Sequence, residues 1–319
     1  MIRRLAGMAA VTLSLFMTTG QAQEMPRELN FGIISTESSQ NLKKDWEPFL
    51  ADMEKRVGTK INAFFASDYA GIIEAMRFNK VQVAWFGNKA AMEAVDRANG
   101  EIFVQVVSTD GTLGYYSFIG ARKDSPYQSL DDILKHSKAV TFGIGDPNST
   151  SGFLVPNYYA FAQNGVDPRT AFKSVRSANH ETNILALANR QVDASVFSSD
   201  TWERIEKNRP EVAGQLKLIW KSPMIPSDPM VWRRDLNPEM KKRLKDFFLA
   251  YAKSDSRERE IARKITFAGF VDSSNAQLKP IRQLELFKEK TKIAGDAAMA
   301  APERQQKLAE IDRKLAELK

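Results

Sequence analysis

From residue 29 onward, short apolar runs alternate with stretches of helical period, and the alternation begins again 111 residues later. Residues 29–34, 60–66 and 81–86 read as buried strands, and 102–108 as extended chain. Between them, 39–56, 69–78 and 89–98 carry helical spacing. Strand and helix in alternation prescribe a mainly parallel sheet covered on both faces. With no gap, Phe31-Gly32-Ile33 falls on Phe142-Gly143-Ile144, Ser38 on Ser149, Ile73 on Ile184, Ala75 on Ala186, Val81 on Val192 and Phe86 on Phe197. The elements match in type as well as in letter. The reading is α/β with two similarly wound lobes, the second beginning near Tyr116. One large α/β domain is the alternative left open.

Pro223, Pro226 and Pro229 punctuate the stretch before Met230-Val231-Trp232, which reads as a crossing back to the first lobe. The outward crossing is Gly114-Tyr115-Tyr116. Two crossings imply a cleft and a hinge. The expected organisation is a leader at 1–22, lobe 1 at 27–115, lobe 2 at 116–224, a return segment at 225–270 and a helical tail at 271–319. In the tail, Leu308, Ile311, Leu315 and Leu318 form a narrow stripe at 3-4-3 spacing. Packing on the chain's own body and a homodimer contact through the C-terminal helices both fit it.

The chain opens Met1-Ile2-Arg3-Arg4, is apolar to Met17 and reaches Gly20-Gln21-Ala22 before Gln23. A basic start, a short apolar core and small residues describe a cleavable export signal, with the cut after Ala22. The formal charge is +7, and loss of Arg3 and Arg4 leaves it at +5. The bases are dispersed, so nucleic acid is not indicated, and a mild positive balance suits small anions. There are no cysteines, which excludes disulfides, thiolate metal sites and a Cys nucleophile.

Enzyme signatures do not assemble. The two histidines are His136 and His180, and His180-Glu181-Thr182-Asn183-Ile184 lacks the second His of a zinc-protease helix. Gly143-Ile144-Gly145 lacks the third Gly of a dinucleotide fingerprint. No nucleophile, base and orienter come together, and no metal or cofactor site is expected. A recognition site fits better. Asp146-Pro147-Asn148-Ser149-Thr150-Ser151-Gly152 lies between an apolar strand at 139–143 and an apolar helical stretch at 153–162. Hydroxyls, free N–H groups at a helix start and a Gly make a cradle for a small oxyanion. The plain alternative is an ordinary N-cap. At the same offset Tyr69 falls on His180, which places two donors on equivalent loops facing a shared cleft. Taken singly, His180 reads as a surface residue and Tyr69 as a half-buried one with a wet hydroxyl.

Longer stretches carry a family resemblance: residues 30–38, Asp68-Tyr69-Ala70-Gly71-Ile72-Ile73, residues 92–100, residues 146–156, His180-Glu181-Thr182-Asn183 and Ile225-Pro226-Ser227-Asp228-Pro229. Over nearly the whole chain after the leader, the sequence resembles the periplasmic phosphonate-binding proteins of bacterial ABC importers. The resemblance implies a two-lobed class II solute-binding fold, with a hinge and C-terminal helices, that closes on its ligand. It implies that Ser149, Thr150, Ser151 and His180 hold phosphonate oxygens, with Tyr69 and Tyr115 lining the cleft and touching the ligand. It also implies two carboxylates for the ammonium of 2-aminoethylphosphonate. Asp228 matches one. Asp200 stands where the family member compared has Glu.

That division is chemically coherent, because a zwitterion wants donors at one end and carboxylates at the other. Asp200 is one methylene short, Val196-Phe197-Ser198-Ser199 is poorer in amides than the family pattern, and Phe86 replaces a Tyr. These departures bear on the amino end and leave the anion cradle intact. The expected partners are an ABC permease and its ATPase subunit, and the expected place is the periplasm. The competing functions are a receptor for phosphate, phosphite or another oxyanion, and a secreted phosphoester or phosphonate hydrolase.

Overall fold

The structure, a computed structural model, describes residues 24–318. The expected leader at 1–22 and its cleavage point lie outside the described residues. Among the described residues, thirteen strands build two main sheets and a small connecting pair.

The first sheet holds β1 (Glu28–Ile33), β2 (Lys60–Phe65), β3 (Val83–Trp85) and β4 (Gly100–Ser108). The chain then leaves through β5 (Gly114–Tyr115) and builds the second sheet from β6 (Ser117–Arg122), β7 (Thr141–Ile144), β8 (Ser174–Ser177), β9 (Ala194–Ser198) and β10 (Leu216–Lys221). It returns through β11 (Ile225–Pro226) and completes the first sheet with β12 (Pro229–Arg233) and β13 (Phe267–Asp272). The strand orders are β13-β4-β12-β3-β1-β2 and β10-β6-β9-β7-β8. β5 and β11 pair antiparallel, Ile225 opposite Tyr115, so the two crossings form one ribbon between the lobes. Separate sheets joined in this way rule out a single continuous α/β domain.

The internal repeat is visible in the register. Phe31 lies opposite Val83 and Gly32 opposite Ala84; 111 residues on, Phe142 lies opposite Ala194 and Gly143 opposite Ser195. The offset slips by one at the outer strand, where Phe31 faces Ala63 but Phe142 faces Val175. In both lobes a central strand has parallel neighbours on each side, and ligand sites of such sheets lie beyond the carboxyl ends of the strands.

Packing explains why the helices sit where they do. The helix Ser39–Val57 is capped by Ser38, whose hydroxyl accepts from Asn41 N–H, and it ends at Gly58 in the left-handed conformation. It buries Leu42, Trp46, Phe49, Leu50, Met53 and Val57 along one stripe. Trp46 meets Trp85 at 5.2 Å and Phe31 at 5.6 Å between ring centres. Each such side chain contributes about 1.5–3 kcal/mol on burial. The second lobe has a cluster around Phe142, Phe161 and Phe172 and another around Ile184, Phe197 and Trp202.

Three expectations shift. The strand read at 139–143 begins at Thr141, because Ser137–Ala139 makes a tight helical turn first. The helix read from 153 begins at Thr150, since Ser149 caps it. The tail boundary at 270/271 falls inside β13, and the helix Lys279–Ala294 buries Ile281 and Leu284 in the first core. The last helix, Ala301–Glu317, packs Leu308, Ile311 and Leu315 against Ile293, Leu286 and Met299. Leu318 ends the stripe, its carbonyl accepting from Gln283 Nε2. These side chains of the stripe are thus covered by the chain's own preceding helix.

Candidate functional site

The segment expected to cradle an anion follows the end of β7. Ser149 is an N-cap in extended conformation, its Oγ accepting from Gly152 N–H at 2.9 Å. Gly145 N–H donates to Gly152 C=O at 2.8 Å, which draws the two backbones together. A Cβ on Gly145 would stand 2.5 Å from Gly152 Cα, so this approach requires Gly. The helix then runs with wide i to i+5 hydrogen bonds: Leu154 N–H to Ser149 C=O, and Val155 N–H to Thr150 C=O. Wide turns of this kind recur at functional sites. The N–H groups of Thr150 and Ser151, in the first turn, have no intrahelical acceptor and face any anion placed there.

His180 begins the helix His180–Ala188, behind the Asn179 cap. Tyr69 begins the helix Tyr69–Arg77, behind the Asp68 cap. The plain readings of both fail: His180 is 3 % exposed and Tyr69 2 %. His180 Nε2 lies 3.4 Å from Ser149 Oγ, and its Nδ1 is buried with no partner among the described residues. Burial pushes the imidazole pKa down to about 3, so the ring is neutral and carries one N–H donor. Burial, then the nearby Asp228, push the Tyr69 phenol up, and burial and Asp228 do the same to Tyr115. Both keep their hydroxyl protons.

Two carboxylates belong to the same site. Asp200 lies in the first turn of the helix Ser199–Asn208, capped by Ser198. Asp228 lies between β11 and β12, its N-terminal neighbours belonging to the return crossing. As residues both are part-exposed, yet their carboxyl groups are desolvated. Desolvation raises Asp200 to about 6, with Arg204 pulling the other way. Desolvation and the neighbouring Asp200 raise Asp228 well above its ordinary 3.8. Asp228 Oδ1 is buried with no partner among the described residues.

All eight expected site residues, Tyr69, Tyr115, Ser149, Thr150, Ser151, His180, Asp200 and Asp228, line one cavity between the lobes. It is a narrow space, about 320 Å³ between atoms when the part open to solvent is included. Four buried polar groups on its wall lack partners among the described residues: Thr36 Oγ1, Trp85 Nε1, His180 Nδ1 and Asp228 Oδ1. Buried polar groups are ordinarily satisfied, and of these four Thr36 Oγ1 and His180 Nδ1 stand out, because the Asp228 carboxyl has Trp85 and Tyr115 as neighbouring side-chain donors. The cleft is closed. Lys89 N–H donates across it to Thr150 Oγ1 at 2.8 Å, and Tyr69 N–H to Asp146 Oδ2 at 3.2 Å. Thr150 accepts there and keeps its own proton to give. Among the described residues, no group of three or more His, Asp and Glu side chains could hold a metal ion.

A sequence model of the periplasmic substrate-binding protein of phosphonate ABC transporters matches residues 31–278. The chain belongs to that family. The phosphonates-binding periplasmic protein of Escherichia coli K12 is 49% identical over 317 residues, covering 99% of this chain and 93% of the relative. The phosphate-import protein of Mycolicibacterium smegmatis is 33% identical, over 75% of this chain and 76% of its own. A crystal structure of a binding component of an ABC phosphonate transporter from Pseudomonas aeruginosa superposes with a TM-score of 0.90 at 54% identity, covering 92% of this chain and 97% of that one. These relatives are binding components of transport systems rather than enzymes.

Within this family member, sequence reasoning missed seven residues of the wall, Thr36, Trp85 and Arg204 among them. Thr36 and Trp85 sit just after β1 and at the end of β3, the strand ends where a parallel sheet presents ligands. Arg204 follows Asp200 by four residues, hence on the same helix face. Each of these three had a readable signal: a hydroxyl or an indole closing a buried strand, and an acid–base pair at helical spacing.

Proposed function

We propose that the protein is the periplasmic receptor of an ABC importer and captures an aminoalkylphosphonate, with 2-aminoethylphosphonate as the simplest fit. The observation that carries this reading is the mixed lining of one cavity, where hydroxyls, a neutral imidazole and helix N–H groups share the wall with the carboxyl groups of Asp200 and Asp228. Ser149, Thr150, Ser151 and His180 take the phosphonate oxygens, and Tyr69 and Tyr115 close on them from the first lobe and the hinge. Asp228 and Asp200 take the ammonium as charge-assisted acceptors, and with Asp200 short of reach a bridging water spans the gap. Closure around the ligand creates the surface offered to the permease, whose ATPase subunit supplies the energy. Export uses the leader at 1–22, cut between Ala22 and Gln23.

The phosphate-import relative supports a second reading, a receptor for phosphate or another bare oxyanion. Two desolvated carboxylates weigh against it, because a bare anion leaves them unpaired. Calorimetric titration with 2-aminoethylphosphonate, ethylphosphonate and phosphate decides between the two. Preference for the amino compound supports the first; equal or tighter binding of phosphate replaces it. A homodimer through the C-terminal helices is a separate matter. Light scattering of a chain ending before Ala301 shows whether that helix serves assembly.

A further inference from the structure

Arg204 stands where three spaces meet. It lines the ligand cavity, a wide outer groove at the mouth of the cleft, and a small inner cavity backed by Trp46 and Trp85. Its guanidinium leaves its own lobe to do so. It pairs with Glu37 and donates to Thr266 Oγ1 at 2.9 Å, both on the first lobe, while Nη2 stays on Thr201 Oγ1 of its own helix at 3.3 Å. The ion pair is nearly dry, with side chains 11 % and 8 % exposed. Thr266 is held at φ 62°, left-handed backbone that a β-branched residue rarely adopts. Strain of this kind collects at clamps and switches.

Glu37 is the middle of a three-residue loop that the second lobe grips at every position. Glu181 N–H donates to Thr36 C=O at 3.3 Å, Glu181 Oε2 accepts from Ser38 N–H at 3.2 Å, and Glu181 Oε1 accepts from Asn41 Nδ2 at 2.8 Å. Each gripping residue rides with a ligand-facing one. Glu181 directly follows His180, and Arg204 lies one helical turn beyond Asp200. Two helices that both line the cavity therefore converge on the same loop.

We propose that Thr36-Glu37-Ser38 is a closure latch, with Arg204 and Glu181 as positioning residues that hold it, and that the Arg204–Glu37 pair sets how long an occupant is retained. This rests on the cavity being the ligand site. Because its two members stand on different lobes, the pair exists only where the lobes meet and adds nothing to first recognition. It shifts the open-to-closed balance and so acts on release. A buried ion pair is poor evidence of general stability, which makes a role in closing the better account of its retention.

The test is stopped-flow release and equilibrium titration of 2-aminoethylphosphonate, with inorganic phosphate in parallel, on wild type, Arg204→Met, Glu37→Gln and the double variant. Release should speed up about tenfold in either single variant. The association rate should stay within about twofold. The double variant should be no worse than the poorer single one, since both remove one pair. In Glu37→Gln, which lies off the cavity wall, the affinity ratio between the two probes should not change, and the ligand-free melting temperature should hold. Unchanged release, or losses that add and track a fall in ligand-free stability, overturn the latch. Wild-type binding of phosphate without the aminophosphonate overturns the aminoalkyl reading instead, and the latch is then judged from phosphate release. Glu37→Gln, on the other lobe, carries the test if Arg204→Met fails to fold.

Discussion

Asp200 reaches the cavity from a helix of the second lobe, and its charge raises the pKa of Asp228, which comes from the crossing that returns to the first. Two desolvated carboxylates on one small space cannot both stay ionised at no cost. An ammonium placed between them relieves both desolvation and repulsion. That relief is the reason the two carboxylates are proposed to take an ammonium.

The sign of the pH dependence follows. Asp200 is raised to about 6 from an ordinary 3.8, so between those values the ligand-free fold holds a proton that the unfolded chain has lost. This carboxyl therefore makes the ligand-free protein less stable as pH rises through that window. An ammonium ligand lowers the pKa and releases the proton. Affinity for 2-aminoethylphosphonate should fall as pH drops from 7.5 to 5, while ethylphosphonate, once each ligand's own phosphonate titration is subtracted, should not show the extra loss. His180, down at about 3, stays neutral throughout. Calorimetry in buffers of differing ionisation enthalpy counts the protons, and equal proton release by both ligands would remove the ammonium from the model.

The two ends should separate by substitution. Asp228→Asn should weaken aminophosphonates by about 2–5 kcal/mol, the cost of stranding one member of a closed charge pair, and spare ethylphosphonate. Ser149→Ala with Thr150→Ala should weaken every phosphonate. The Ser149 change also removes a helix cap worth about 1 kcal/mol, so the melting temperature is the necessary control. Equal losses for all ligands in both variants would contradict a two-ended site.

Thr266 gives an independent view of the latch. Its hydroxyl accepts from Arg204 and donates to Ile265 C=O at 2.6 Å. Thr266→Gly removes that hydroxyl and also a left-handed strain of roughly 1–2 kcal/mol. Ligand release should quicken while the ligand-free melting temperature does not fall. A lower melting temperature with unchanged release would assign Thr266 to packing alone.

The repeat that organises the lobes was legible because it rests on periodicity, and periodicity reports burial. Phe31 and Phe142 are interior strand residues whose neighbours are forced by the same pleat. Tyr69 and His180 were legible for a related reason. Both open a helix after an Asp or Asn cap, and the offset carries one onto the other. What the sequence concealed depends on closure. Arg204 and Glu37 are 167 residues apart, and only docking of the lobes brings them together. The same is true of Lys89 on Thr150. The early start of the cradle helix was hidden by its wide turns, because a run with i to i+5 bonds does not follow the 3.6-residue period used to find it.

The cradle itself offers the narrowest test. A methyl group on Gly152 would meet Ser149 Oγ at 2.8 Å, Gly145 Cα at 3.0 Å and His180 Cε1 at 3.0 Å. Two of those three neighbours are proposed phosphonate contacts, and the third is backbone held by the Gly145 hydrogen bond. None can yield without moving the cradle. Gly152→Ala should therefore weaken 2-aminoethylphosphonate and ethylphosphonate alike by about tenfold or more, as a small displacement in a preorganised site does. The pH difference between the two ligands should survive, because Asp200 and Asp228 are untouched. Should Gly152→Ala weaken only the amino compound, the anion would have to sit elsewhere than at Ser149 and His180.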